Sequence, residues 1–232
     1  MTVYRALVLA IWGCLLAGCP PPPPKRSGDY DQAKIVQIYY AGYDAEQDSI
    51  YVTAEFYEGG LSLQLTPPSE IRHNLFVLDE STGTPGNIAV YTWYTYSGEG
   101  YEANHQWRWT DTAGQIYLNE FTFTPTYLDD PPEEISRSAG GTVSFLPALR
   151  EGESVAVYLS AESGEGYAFR THDVGATTVV IDPDELRRFD GIDDLEIEVW
   201  REGLYGLQEA TPVGGRIEGE LHSAHLPLRL GP

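Results

Sequence analysis

The chain predicts an all-β fold: two tandem β-sandwiches of Greek-key pattern. Three observations predict it. Apolar and polar residues alternate with a period of two along most of residues 30–232, and helical periodicity is nearly absent. The alternating runs are rich in Val, Ile, Tyr, Thr and Phe, and Gly, Pro, Asp and Asn separate them. The runs recur at intervals of about eight to twelve residues, the spacing of sandwich strands joined by short turns.

In chain order, the first half offers KIVQIYYA (34–41), SIYVTAEFY (49–57), LSLQL (61–65), NLFVL (74–78), IAVYTWYTY (88–96), HQWRW (105–109) and QIYLNEFTFT (115–124). The second half offers TVSFL (142–146), SVAVYLSA (154–161), YAFRT (167–171), TTVVI (177–181), LEIEVWRE (195–202), RIEGEL (216–221) and HLPLRL (225–230). One helical turn is expected, with Asp182 as cap, Pro183 at the first position and Asp184-Glu185-Leu186 after it. The acidic, proline-containing stretch 129–136 is the expected linker, between a domain over 30–128 and another over 137–232. SGEGY occurs at 97–101 and at 163–167, at unequal depths in the two halves. That reads as a repeated hairpin chemistry rather than a duplicated domain, and one large sandwich remains an alternative to two.

The N-terminus carries an address. Arg5 is followed by an apolar run from Ala6 to Leu16, too short to span a bilayer comfortably and of the length of a secretory core. Leu16-Ala17-Gly18-Cys19 then resembles the lipobox of bacterial lipoproteins. The resemblance implies cleavage after residue 18, lipidation of Cys19 and attachment to the cell envelope. Pro20 stands where an aspartate would signal inner-membrane retention, which favours the outer membrane in a Gram-negative cell. An ordinary signal peptide cut nearby, or an uncleaved anchor, are the alternatives. Pro20–Pro24 would form a polyproline II spacer of roughly 15 Å at about 3.1 Å per residue, within a tether over 19–29.

The runs VTAEF (52–56), YLNEFTFTP (117–125), TVSFLPALREGESVAVYLSA (142–161), VVIDPDEL (179–186) and IEVWRE (197–202) resemble a loose class of bacterial lipoproteins with tandem Ig-like domains. The resemblance implies fold and placement, and no activity.

Composition narrows the chemistry. The formal net charge is −21, which repels nucleic acid and anionic headgroups and suits a basic partner, a cation or simply a solvated surface. Cys14 leaves with the signal and Cys19 takes lipid, so the body folds without disulfides. No G-x-S-x-G motif occurs, and His172-Asp173 reads as a surface pair. His222 and His225 fall on opposite faces of a strand, which closes them as a zinc pair unless Ala224 sits in a bulge; His73 and His105 stand isolated. Asp190, Asp193 and Asp194 around Gly191 are the candidate calcium ligands. Tyr91, Trp93, Trp107 and Trp109 are the candidate glycan platform.

These features predict a non-catalytic envelope lipoprotein that presents its sandwiches to an envelope protein partner. The alternatives are a glycan-binding module and an exported hydrolase using paired carboxylates.

Overall fold

The computed structural model describes residues 25–81, 89–95 and 104–232. Cys19, the proline run and the first SGEGY copy lie outside the described residues. The first half contains β1 (Lys25–Arg26), β2 (Val36–Asp44), β3 (Ser49–Glu58), β4 (Leu61–Gln64), β5 (Glu70–His73), β6 (Phe76–Val77), β7 (Asp79–Ser81), β8 (Val90–Thr95), β9 (Asn104–Thr110) and β10 (Ile116–Thr122). The second contains β11 (Tyr127–Asp129), β12 (Glu134–Ser136), β13 (Gly141–Leu146), β14 (Glu153–Ser160), β15 (Gly166–Thr171), β16 (Thr178–Ile181), β17 (Asp194–Gly206), β18 (Gly215–His222) and β19 (Leu226–Gly231). Among the described residues the one α-helical turn, α1 (Pro183–Leu186), starts as its residues require: the Asp182 carboxylate accepts from Asp184 N at 2.8 Å and Pro183 opens the helix.

The protein is an all-β sandwich with two cores. In the first, Ile50, Val52, Ala54 and Phe56 of β3 pack with Tyr39 of β2 and with Trp107 and Trp109 of β9. In the second, Val155, Val157 and Leu159 of β14 and Leu195, Ile197 and Val199 of β17 face Val143, Phe145, Val179 and Ile181. Each set sits at every second position of its strand, as a half-buried strand demands.

One large sheet serves both cores. Its order runs β4-β3-β2-β18-β17-β14-β15, so β2 of the first half lies beside β18 of the second. They pair in parallel from Gln37↔Gly215 to Asp44↔His222. Ile217 and Leu221 of β18 thereby enter the first core, and Tyr205 and Leu207 pack against it. The thirteen residues of β17 pass from one core to the other. Smaller sheets, β10-β9-β5-β6 and β11-β13-β16, close the opposite sides.

The seam between the halves is bonded as well as packed. Asn119 Nδ2 donates to Glu209 O (2.9 Å), and Glu209 N donates back to Asn119 Oδ1 (3.1 Å). Gly219 lies under Phe121, where a Cβ would meet the ring at 2.4 Å. Buried Glu153 accepts from Arg201 Nη1 (2.7 Å), Arg150 N (2.9 Å), Tyr205 Oη (2.9 Å) and Thr124 Oγ1 (3.3 Å).

Two expectations change. The stretch 129–136, expected as a linker, is woven into the second half. Glu134-Ile135-Ser136 forms β12, which pairs with β19, and its single apolar residue, Ile135, is 4% exposed in the second core. The run NLFVL is not one strand. Asn74 takes a positive φ of 50° as the chain turns from β5 to β6, and Leu75 stands 86% exposed at the tip.

Candidate functional site

The expected aromatic platform belongs to the core. Trp107 and Trp109 are 0% exposed and Tyr91 is 6% exposed. β9 turns both tryptophans inward, onto β2 and β3, and leaves Arg108 outside. Trp107 stacks on Tyr39 at 5.4 Å, and Trp109 Nε1 donates to Ser69 Oγ at 3.0 Å. Tyr91 Oη accepts from Leu65 N at 2.6 Å. Trp93 pairs with Val52 along the backbone, and its side chain lies outside the described residues. The three described rings are therefore enclosed and offer no face to a sugar.

Of the calcium candidates, Asp193 is already engaged by a guanidinium. Asp190, Asp193 and Asp194 are exposed, and a guanidinium already supplies the local cation. Arg137 donates to Asp193 Oδ1 at 2.9 Å, to Phe189 O at 2.7 Å and to Ile192 O. His172 and Asp173 are both exposed.

His73 and His105, separate in sequence, meet in the first core. His73 Nε2 lies 2.9 Å from His105 Nδ1, and both rings are buried. Burial, then the neighbouring His105, pushes the His73 pKa down to about 3, so that ring is neutral at physiological pH.

The richest cluster lies on the outer face of the shared sheet. β17 sends Leu195, Ile197 and Val199 inward, so Glu196, Glu198, Trp200 and Glu202 point outward. β18 adds Glu218, Glu220 and His222 on that face, β14 adds Ser154 and Tyr158, and β2 adds Tyr40. Three rings stack across three strands: Tyr158 on Trp200 at 4.6 Å, and Trp200 on His222 at 4.5 Å. Tyr40 Oη donates to Glu220 Oε2 at 2.9 Å, and Arg170 pairs with Glu202 at 2.7 Å. Where Gly203 stands opposite Gly219 the face dips into a trough of about 440 Å³. Glu202, Glu218, Glu220, Tyr40 and Leu204 are among the residues lining it, with no lysine or arginine.

His222 and His225 also belong to this face, contrary to the opposite-face expectation. β18 and β19 both pair with β17, in registers His222↔Trp200 and Leu226↔Ile197. Residues 223–225 therefore face only Glu198 and Val199. One residue is extra, and the bulge that absorbs it turns His225 to the side of His222. Ser223 secures the bulge, its N–H donating to Val199 O (2.9 Å) and its Oγ accepting from Val199 N (3.0 Å). Both rings then reach one carboxylate: Glu198 Oε2 is 3.3 Å from His225 Nε2 and 3.9 Å from His222 Nδ1. The other ring nitrogens meet other carboxylates, His222 Nε2 with Glu220 Oε1 at 2.6 Å and His225 Nδ1 with Glu196 Oε2 at 3.0 Å.

The carboxylates set the electrostatics. Burial, the largest influence on His222, lowers its pKa, but Glu220, Glu198 and Asp44 together outweigh it and the net shift is upward. His225 follows the same pattern, with Glu196, Glu198 and Glu46 outweighing burial. Glu220 is held below the usual carboxylate range, chiefly by its hydrogen bond with His222.

No protein-family description and no curated protein matches the chain. Among solved structures it is similar to the Yersinia pseudotuberculosis adhesin InvE, at 10% identity and a TM-score of 0.24, over 87% of this chain. The chain spans 60% of that chain's length.

Proposed function

We propose that this chain is a non-catalytic bacterial envelope lipoprotein whose shared sheet receives a basic segment of an envelope protein partner. Cys19 carries the lipid and residues 20–29 space the body from the membrane. One observation carries the binding role: Glu202, Glu218 and Glu220 line the trough over the seam beside Leu204 at 57% exposure, with Arg170 and Arg216 pairing the first two from outside its lining. Its charge complements a lysine- or arginine-bearing strand or loop, and Leu204 offers that segment an apolar contact.

The carboxylates favour binding over hydrolysis. Glu202 and Glu220 are register partners and form the obvious pair for a glycosidase-like reaction. Such a pair needs one carboxyl kept protonated as the acid. Glu220 is driven the other way, and Glu202 is held by Arg170. The glycan reading loses Tyr91, Trp107 and Trp109 to the core. Among the described residues the one outer tryptophan, Trp200, is stacked against both Tyr158 and His222.

A photo-crosslinker at position 204 in living cells tests the partner. The expected result is a discrete adduct that disappears when Glu202, Glu218 and Glu220 are all changed to Lys. No adduct, or one indifferent to the reversal, removes the reading. The anchor has its own test: Cys19→Ser should move the protein from the membrane to the soluble fraction, and an unchanged distribution would rule the lipid out.

A further inference from the structure

We propose that His222 Nδ1, His225 Nε2 and the Glu198 carboxylate form a binding site for a divalent ion of the zinc type, with Glu220 and Glu196 as its outer carboxylates. The argument begins with direction. A carboxylate only accepts hydrogen bonds, so the nitrogen facing it must donate. Glu220 therefore places the proton of His222 on Nε2, and Glu196 places that of His225 on Nδ1. In these tautomers the remaining lone pairs, on His222 Nδ1 and His225 Nε2, both turn toward Glu198 Oε2. In the metal-free chain the charge between them comes from protons, since the carboxylates raise both histidine pKa values and each protonated ring also turns an N–H toward Glu198; a divalent ion takes the place of those two protons.

The donor set names the class of ion. Two imidazoles and one carboxylate suit zinc and its neighbours better than calcium or magnesium, which favour oxygen alone. A tetrahedral ion with bonds of about 2.0–2.1 Å holds its ligand atoms about 3.3 Å apart. The separation of Glu198 and His225 is already 3.3 Å, and that of Glu198 and His222 is 3.9 Å. Among the described residues no group of three such side chains yet stands at full metal spacing. Of the two separations measured from Glu198, one stands at the tetrahedral value and the other is roughly half an ångström longer.

Everything around the three atoms fits that role. Metal-binding histidines characteristically donate their second nitrogen to a carboxylate, which fixes the tautomer and raises ligand basicity. Both histidines do so here. Trp200 stacks on His222 and sets its plane, and the bulge at 223–225 is the feature that brings His225 to the same side. Glu46, on the turn between β2 and β3, accepts from His225 N at 3.4 Å. An ion would thus tie β17 to the bulge and draw in a loop of the other half.

The test uses the metal alone. Titration of the purified full-length chain with ZnCl₂, followed by calorimetry, should show one strong site. Cobalt(II) should give the visible absorption of a tetrahedral N/O site. His222→Ala and His225→Ala should each weaken binding by about 100-fold or more, and Glu196→Gln and Glu220→Gln by about 10- to 100-fold. His172→Ala, at a histidine that lines the trough but is no ligand of the proposed site, should leave zinc affinity unchanged. Glu196→Gln lies at the exposed rim and decides the matter if a histidine variant fails to fold. The proposal is overturned if neither ion binds, if binding survives the double histidine variant, or if Glu196→Gln binds as the parent does.

Discussion

Two charged clusters sit back to back on β17, and they are built in opposite ways. On the inner face Glu153 and Arg201 are sealed between the cores, and Glu153 takes hydrogen bonds from Arg201, Arg150, Tyr205 and Thr124. The carboxylate of that cluster is fully matched, because it has both a counter-charge and donors. On the outer face Glu198 meets two ring nitrogens whose partners lie on their far sides. That cluster is held by exchangeable protons, because each imidazole lies between Glu198 and an outer carboxylate and a cation can replace its inner proton. The comparison separates a device that holds the halves together from one that can take up a cation.

The largest effect should come from breaking the inner cluster. Arg201→Leu leaves Glu153 buried without its counter-charge and should cost about 3–5 kcal/mol in urea unfolding. The double variant Glu153→Gln/Arg201→Leu should recover part of the loss, since no buried charge remains. A loss under about 1 kcal/mol in the single variant would mean that water reaches the inner face, and the contrast between the two faces would fail.

The second test sets the core histidines against the outer ones. His73 has its pKa lowered to about 3, against 6.5 when unfolded. Below pH 6.5 the unfolded chain binds a proton that the folded chain refuses. Stability is therefore full above that pH and falls as pH drops toward 3, by roughly 3–5 kcal/mol in all. His73→Phe should flatten the slope of unfolding free energy between pH 6 and pH 4. An unchanged slope would assign the acid sensitivity to other groups. The outer histidines, with raised pKa values, lean the opposite way and keep their protons to higher pH.

A smaller effect should follow at the seam. Gly219→Ala places a methyl where Phe121 lies, at 2.4 Å from the ring, and should cost about 1–3 kcal/mol. Thermal unfolding reads it directly. A neutral result would show that Phe121 can swing aside and that the two cores are less tightly locked than their contact implies.

Much of this arrangement was legible in the chain. SIYVTAEFY announces β3, and its alternation puts Ile50, Val52, Ala54 and Phe56 inside, as found. Asp182-Pro183 marks the helical turn α1. Trp200 was legible too: if Leu195, Ile197 and Val199 face the core, the next residue in the outward register is a tryptophan on a polar face. The aromatic reading went to Trp107 and Trp109 because two tryptophans around an arginine resemble a platform. Alternation says only that they share a face, and that face turned out to be the inner one. The pairing of β2 with β18 leaves no local mark, because no run of residues states which distant strand will lie beside it. The histidine pair turns on a single extra residue, the bulge near Ala224 that the sequence admits as an exception but does not require. Strict alternation separates positions 222 and 225, and the bulge that reunites them becomes visible only once β18 and β19 share β17 as a neighbour.

The smallest change in stability should come from Glu196→Gln, and it sharpens the comparison most. Glu196 is an exposed carboxylate and His225 is partly exposed, so without metal the loss of their pair should alter unfolding free energy by less than about 0.5 kcal/mol. Substitution of Glu153 or Arg201 on the inner face cannot be so quiet, because both groups are buried. With zinc present the same substitution should lower the gain in melting temperature, since stabilisation by a ligand follows its affinity. A variant that is silent without the ion and weaker with it places the role of Glu196 in holding the ring of His225 for a metal. A variant that destabilises the metal-free chain by several kcal/mol would make the outer cluster a structural lock like the inner one.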